Sequence, residues 1–184
     1  MNAKNKIYFD LETTGFDGIK HDIIEIYMLK EATNGEILDN LHIYFNPQKP
    51  LPSSIIEITS LTDKFLLDKP NFKSQVDKII NFIGEDDILI GHNAKSFDIV
   101  FLNDQFKKHN ILNKEEKVFQ LKNNIEDTMI MAREIDNVDK YTKGYKLVDL
   151  AKRFKLKIDE KKFHGAKYDV EITRELYKIF NSKR

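Results

Sequence analysis

The chain has 184 residues, of which 41% are hydrophobic, and it contains no Cys and no Trp. The absence of cysteine excludes a disulfide framework, an iron–sulfur centre, a thiol nucleophile and a cysteine-ligated zinc site. The 30 basic and 30 acidic residues cancel, so the net charge gives no argument for a nucleic-acid partner.

Charge is distributed unevenly along the chain. Residues 140–184 contain 14 Lys or Arg and 6 Asp or Glu, a net charge of +8. Residues 1–139 contain the other 16 basic and 24 acidic residues, a net charge of −8. The basic third has two interpretations: solvated helix faces of a lysine-rich protein, or a basic wall beside a site whose acids are neutralised by metal.

The length favours a single domain over residues 1–184, because one hydrophobic core commonly comprises ~100–200 residues. The first residues, MNAKNKIYFDLETTG, lack the apolar core of a secretory signal. No apolar run approaches the ~20 residues that span a bilayer. We therefore expect a soluble, cytoplasmic protein without a membrane partner.

Three strands are predicted at the start of the chain. Residues 6–11 alternate between two faces, which is the period of a strand. Residues 23–29 and 37–45 have the same character, and Asn34-Gly35 between them is typical of a hairpin turn. Short connections between successive strands predict an antiparallel beginning of the sheet.

The pattern then changes to helices around one further strand at 87–91. Ser96 is a candidate N-cap, and the polar segment 110–124 is predicted to be an irregular surface connection. Helices are predicted at 52–58, 72–83, 96–108, 128–135, 146–154 and about 166–180. The sum predicts an α/β (mixed α+β) fold, in which a mixed sheet carries helices on its faces.

The first candidate motif ends the first strand. Asp10 and Glu12 are two residues apart, so their carboxylates emerge side by side on one face. Adjacent carboxylates raise each other's pKa unless a cation lies between them, and Mg²⁺ prefers such oxygen ligands. Gly15 allows the backbone to approach a ligand closely. Taken alone, the pair is better explained as the solvent-facing side of a half-exposed strand.

The second candidate motif is GHNAKSFD, where a strand leads into a helix. Asp98 lies in the predicted first helical turn, where the helix dipole favours an acid whether or not it has a function. The alternative is a third carboxylate at the carboxyl end of a strand. Asn93 and the nearby N–H groups could then contact a phosphate or a sugar.

The third candidate motif is HGAKYD. His164 and Asp169 are five residues apart, so they do not share a helix face. Gly165 places His164 in the loop before the helix, from which it could reach the same point as Asp169. A neutral imidazole beside a metal site is a good general base, whereas a lone histidine is more commonly a surface residue.

Together the motifs give four acids and one histidine in the order D-x-E, H-N-x-x-x-F-D and H-x-A-x-x-D. In this order the sequence resembles the DEDDh (DnaQ-like) 3′–5′ exonucleases, which include the epsilon proofreading subunits of bacterial DNA polymerase III, ribonuclease T and oligoribonuclease. The resemblance covers roughly residues 6–180. The matching residues are Asp10, Glu12, Asp98, His164 and Asp169.

The resemblance implies an RNase H-like fold, with a central mixed five-stranded sheet that begins with three antiparallel strands and is flanked by helices. It also implies two divalent cations, Mg²⁺ or Mn²⁺, bridged by Asp10. Glu12 and Asp169 would complete the shell of the first cation, and Asp98 would hold the second. His164 would take the proton from the attacking water, and nucleoside 5′-monophosphates would leave a DNA 3′ end during proofreading or repair.

The implied substrate is a nucleic acid with a free, single-stranded 3′ end. Thr13 and Thr14 are expected to face the terminal nucleotide and Asn93 to contact the 3′ end. Phe97 is expected either to pack on a sugar or base or to belong to the core. Lysines of the C-terminal third would hold upstream phosphates, for example Lys161, Lys162 and Lys167. A polymerase partner or a homodimer is expected, because relatives use both arrangements.

Three alternatives stay open at this point. The chain could be an RNA-specific member that trims RNA 3′ ends or degrades oligoribonucleotides, which contacts to a 2′-hydroxyl would favour. It could be a non-catalytic nucleic-acid-binding module on the same fold, which the five intact positions disfavour. It could be a scaffold without a nucleic-acid role, which only the zero net charge favours.

Overall fold

A computed structural model describes residues 4–140 and 142–183. Its centre is a five-stranded mixed sheet with the strand order β3-β2-β1-β4-β5. The first three strands are antiparallel, and β4 and β5 run parallel to β1. The strands are β1 Lys6–Thr13, β2 Ile23–Glu31, β3 Ile37–Tyr44, β4 Ile88–Gly91 and β5 Ile125–Asp127. The predicted fold class is confirmed.

Helices cover both faces of the sheet. They are α1 Ser53–Thr59, α2 Asp63–Leu66, α3 Val76–Phe82, α4 Asp98–Lys108, α5 Thr128–Asp136, α6 Leu147–Arg153 and α7 Ala166–Asn181. Two 3₁₀ turns, Phe72–Gln75 and Glu160–Lys162, complete the regular structure of the described residues. Within these residues, no helix has the length and apolar character needed to cross a bilayer.

The alternation along β1 sorts its side chains between two cores. Ile7 and Phe9 are buried with residues of α3 and α4 on one face of the sheet. Tyr8 is buried on the opposite face with residues of α6 and α7. Because side chains alternate with period two, Asp10 and Glu12 follow Tyr8 on the α7 face. The hydrophobic pattern of one strand therefore sets the direction of the first two candidate carboxylates.

Several predicted boundaries differ from the structure. The helix predicted at 72–83 is divided into a 3₁₀ turn and α3, and the short helix α2 and strand β5 were not predicted. The prediction of Ser96 as an N-cap is wrong: α4 begins at Asp98, and Phe97 precedes it without a side-chain cap. The reason is a tight turn in which Asn93 O accepts from the N–H groups of Ser96 and Phe97, both at 3.1 Å.

Candidate active site

Strand β1 presents two carboxylates at its carboxyl end. Asp10 is partly exposed, and Glu12 is 9% exposed. The sheet register changes between Glu12 and Thr13, where β1 leaves β2. We call this end of the sheet, where β1 and β4 both finish, the cleft end.

The turn after β4 brings a third carboxylate to β1. Asp98 is 4% exposed, and its Oδ1 accepts from the Leu11 N–H at 3.2 Å. The close approach of the two elements depends on Gly91, since a Cβ there would lie 2.5 Å from Ala94 Cβ and 3.3 Å from Phe9 O. The segment GHNAKSFD thus folds back on β1, and Asp98 is bonded to the backbone of Leu11, the residue between Asp10 and Glu12.

Helix α7 supplies the fourth carboxylate and the histidine. Asp169 lies in its first turn, and Asp169 Oδ2 accepts from the His164 N–H at 3.3 Å. His164 is exposed and adopts a φ of 65°, in the left-handed region that non-glycine residues rarely occupy. One ligand atom from each of Glu12, His164 and Asp169 lies within 4.8 Å of the other two.

All five residues border one cavity of about 530 Å³, which we call the cleft. Thr13, Asn93 and Phe97, which were predicted to contact the substrate, also line this cavity. Thr14 is outside the lining: its N–H donates to Asp22 O and its hydroxyl accepts from the Asp22 N–H. The hydrogen-bonding groups of Thr14 are therefore engaged in closing the loop that follows β1.

The four carboxylates have strongly perturbed acidity. Burial raises the pKa of Asp10 well above its usual range, and the charges of Asp98, Glu12 and Asp169 add to this effect. Burial, followed by the charge of Asp169, raises the pKa of Glu12 to about 8. Burial also raises the pKa values of Asp98 and Asp169 to about 7, although hydrogen bonds from backbone N–H groups oppose the shift.

This donor set fits divalent cations. Asp169 Oδ1 is buried and has no hydrogen-bond partner in the described part of the chain. None of the four acids forms an ion pair with a basic side chain of residues 4–140 or 142–183. Crowded carboxylates that lack a counter-charge are the ligands that Mg²⁺ and Mn²⁺ prefer, so the residues present are suited to hold such ions.

The structure adds cleft residues that the sequence interpretation missed. Phe16 is 92% exposed, and its ring lies edge-on to Phe97 with 6.2 Å between the ring centroids. Lys146 reaches the cleft from the position before α6. Ile55 and Ile58 of α1 also line the cleft. The available signals were a phenylalanine directly after Thr-Thr-Gly and a lysine at a helix start.

His92 of the second motif also lines the cleft, and it supports the segment that carries Lys146. Burial lowers the pKa of His92 to about 4, so the neutral ring donates from Nε2 to Tyr145 O at 3.0 Å. Its Nδ1 lies 2.9 Å from Thr128 Oγ1. These two bonds connect the end of β4 to the starts of α5 and α6.

The predicted phosphate-binding lysines lie apart from the cleft lining. Lys161 and Lys162 are exposed in the 3₁₀ turn before His164, and Lys167 is exposed on α7. Lys146 is the lysine that lines the cleft among the residues described. The first three lysines are thus positioned to contact only a substrate that extends beyond this cavity.

Sequence comparisons identify relatives over almost the whole chain. Residues 7–177 match the family model named for RNase T, described as "Exonuclease". The DNA polymerase III subunit epsilon of Rickettsia conorii is 35% identical over 179 residues, which cover 96% of this chain and 74% of that protein. The PolC-type DNA polymerase III of Bacillus subtilis is 38% identical over 175 residues, covering 94% of this chain and 11% of that protein.

Solved structures of low sequence identity share the fold. A zinc-bound complex of E. coli exonuclease I with single-stranded DNA aligns with a TM-score of 0.80 at 16% identity, over all of this chain and 41% of that one. A product-bound exonuclease I structure aligns with a TM-score of 0.81 at 15% identity, over 98% of this chain and 44% of that one. The chain therefore corresponds to about a tenth of a PolC-type relative and to less than half of exonuclease I.

Proposed function

The chain belongs to the exonuclease family named for RNase T, as its motif order predicted, and we propose that it acts as a metal-dependent DNA 3′–5′ exonuclease. In this proposal residues 1–184 act as one exonuclease domain that releases nucleoside 5′-monophosphates. The observation that carries it is the convergence of Asp10, Glu12, Asp98 and Asp169 on one cleft without a basic partner in the described residues.

The acids would divide between two cations, Mg²⁺ or Mn²⁺. Asp10 would hold both ions, Glu12 and Asp169 would hold one of them, and Asp98 would hold the other. When bound, a pair of such ions supplies charge stabilisation to both the attacking and the leaving oxygen of the phosphodiester. The Leu11 N–H donates to Asp98 Oδ1 and restrains this side chain, which supports the assignment.

His164 is the proposed general base. Its ring lies within reach of Glu12 and Asp169 and is exposed to the cleft. A base must lie within hydrogen-bond reach, directly or through one water, of the proton that it abstracts. The bond from the His164 N–H to Asp169 Oδ2 fixes the backbone from which the ring projects, so that the base is held beside the proposed metal ligands.

The lining of the cleft suits an unpaired 3′ end. The exposed Phe16 ring, edge-on to Phe97, offers a surface on which an unstacked base can pack. Thr13 and Asn93 supply polar groups, and Lys146 supplies a positive charge for a phosphate. Asn93 and Lys95 donate their N–H groups to Asp127, which fixes the turn that carries Asn93.

The proposed partners are a nucleic acid with a free 3′ end and a replicative polymerase. The names of the relatives, a DNA polymerase III subunit epsilon and a PolC-type polymerase, support the polymerase partner. A homodimer is the alternative, and sedimentation of the chain alone distinguishes the two. A cytoplasmic location remains part of the proposal.

The test is degradation of matched 5′-labelled DNA and RNA oligonucleotides in Mg²⁺, Mn²⁺ or EDTA. We expect stepwise shortening from the 3′ end of single-stranded DNA in either metal and no shortening in EDTA. Degradation of RNA faster than that of DNA would favour the oligoribonuclease-type alternative over a DNA exonuclease. Metal-independent binding of either polymer without cleavage would indicate a non-catalytic nucleic-acid-binding module instead of an enzyme.

A further inference from the structure

The N-terminus of α7 is bonded to Glu25, a residue that has no role in the catalytic mechanism proposed above. Gly165 precedes this helix and forms no side-chain cap. The Ala166 N–H instead points to Glu25 Oε2 at 3.3 Å, on strand β2 and 141 residues away in sequence. A carboxylate in this position accepts a hydrogen bond from a free helical N–H and interacts favourably with the helix dipole.

The other oxygen of Glu25 is also engaged. Glu25 is 3% exposed, and its Oε1 lies 2.7 Å from His42 Nε2. His42 donates here either as the neutral Nε2–H tautomer or as the cation. Burial and the nearby Glu25 charge raise the pKa of Tyr44 to about 12. Glu25 is therefore fixed between β3 and α7, as a buried carboxylate requires.

Glu25 lies beside the acidic cluster without facing the cleft. It is directly opposite Glu12 in the β1–β2 register, so the two side chains share a face of the sheet. Its charge contributes, after burial, to the raised pKa values of Asp10, Glu12 and Asp169. It is absent from the cleft lining, so it is placed to support the acids that line the cleft.

We propose that Glu25 is a positioning residue, which caps α7 from strand β2 and thereby fixes His164 and Asp169 against Glu12. The proposal rests on the exonuclease function proposed above. His164 occupies a left-handed backbone conformation and is bonded to Asp169, so the turn between them is under strain. The Glu25 bond ties this turn to β2 at the residue where the helix begins.

Glu31 provides a matched control for simple docking of the helix. It lies on the same strand, is 2% exposed, and accepts from Arg174 further along α7. Both glutamates attach α7 to β2, but only Glu25 does so at the end that carries His164 and Asp169. A docking role predicts similar effects at both positions, whereas a positioning role predicts a specific effect at Glu25.

The experiment compares the variants Glu25→Ala, Glu25→Gln and Glu31→Gln with the wild type. Mn²⁺ affinity is measured by calorimetry without nucleic acid, together with Tm, kcat and KM. We expect Glu25→Ala to weaken Mn²⁺ binding by about 10–100-fold, as the loss of outer-shell partners does, and to lower kcat with little change in KM. Glu25→Gln keeps an acceptor for Ala166 and should retain most of the affinity. Glu31→Gln should lower Tm and leave Mn²⁺ affinity unchanged.

Wild-type Mn²⁺ affinity in Glu25→Ala would overturn the proposal, and so would an equal loss of affinity in Glu31→Gln or in Glu25→Gln. If Glu25→Ala does not fold, His42→Ala carries the test, because it releases the other oxygen of Glu25. That variant should then weaken Mn²⁺ binding, and unchanged affinity overturns the proposal. A wild type that binds Mn²⁺ but cleaves no oligonucleotide rejects the proposed function, and the affinities alone then decide the role of Glu25.

Discussion

The buried acids at the two ends of the sheet differ in whether they have a basic partner. At the end away from the cleft, Glu31 forms ion pairs with Lys6 and Arg174, and Asp87 lies 3.0 Å from Lys30. At the cleft end, the four carboxylates of the candidate site have no basic partner among the residues that the structure describes. The same two strands, β1 and β2, run through both ends.

We propose that this difference separates acids that stabilise the fold from acids suited to hold a ligand. A buried carboxylate that is paired with a basic side chain is compensated within the protein, whereas unpaired neighbouring carboxylates repel each other. At the cleft end, protons or a cation from outside the chain would relieve this repulsion, and carboxylate oxygens are suited to divalent cations. Glu25 is intermediate, because it lies at the cleft end and yet is satisfied by His42 and by the N-terminus of α7.

The largest expected effect is the loss of cleavage when Asp10, at the cleft end, is replaced. Asp10→Asn removes the proposed bridging ligand, so metal-dependent cleavage should fall by about 10³-fold or more, because metal stabilisation is worth several kcal/mol and about 1.4 kcal/mol is tenfold in rate. Initial rates on a 5′-labelled DNA oligonucleotide measure this loss. Asp87→Asn is the control at the opposite end, and it should lower Tm while leaving the rate per folded molecule unchanged. Similar rate losses in both variants would remove the distinction between the two ends.

The next effect concerns the proposed base. His164→Ala should lower kcat by about 10²–10⁴-fold, the usual contribution of a positioned general base. Because we assign His164 no role as a metal ligand, Mn²⁺ affinity should change little in calorimetry. The side chain is exposed, so added imidazole should restore part of the rate. A rate equal to that of the wild type would exclude His164 as the base, and a large loss of Mn²⁺ affinity would reassign it as a ligand.

The spacing of hydrophobic residues predicted the fold class, because strands and helices with one buried face place hydrophobic residues at regular intervals in the sequence. It could not predict β5, which has only three residues and pairs with β4 through a register that exists only in the folded sheet. It also placed the start of α4 two residues too early. The turn at Asn93, which has a φ of 62°, decides where that helix begins, and a local propensity for Ser96 to cap a helix carries no information about this turn.

The candidate site was predictable where motifs encode it and unpredictable where contacts are long-range. Asp10 and Asp98 stood out through motif spacing, and both line the cleft. Phe16 was missed because its importance lies in its exposure beside Phe97, which is 81 positions later in the printed sequence. Glu25 was missed because, in the sequence, it is one polar residue within an apolar strand, and its partners His42 and Ala166 come from other elements.

A moderate loss of stability is expected when Glu31, at the end of the sheet away from the cleft, is replaced. Glu31→Gln weakens the ion pairs with Arg174 and Lys6 and should cost about 3 kcal/mol of the free energy of unfolding, because breaking a buried pair leaves a charge uncompensated. The loss is measured by urea unfolding of the metal-free protein. The rate per folded molecule should stay at the wild-type value. A variant as stable as the wild type would mean that these pairs do not stabilise the fold.

The last prediction concerns the pH dependence of the metal-free protein. The pKa values of Asp98 and Asp169 are raised to about 7 and that of Glu12 to about 8, whereas unfolded carboxyl groups titrate near about 4. The folded protein therefore binds more protons than the unfolded chain between about pH 5 and 8, and its stability falls as the pH rises through this range.

Thermal unfolding in EDTA at pH 5.5 and 8 tests this sign, with Asp98→Asn and Asp87→Asn as a pair that removes one carboxylate from each end. Asp98→Asn should raise Tm at pH 8 and flatten the pH dependence, because one of the repelling charges is gone. Asp87→Asn should lower Tm at both pH values, because Lys30 loses its partner. Mn²⁺ should raise the wild-type Tm most at pH 8, since it binds only the folded, ionised cluster. A wild-type Tm that rises with pH in EDTA would contradict the unpaired state of the cleft-end acids, because paired carboxylates give that slope.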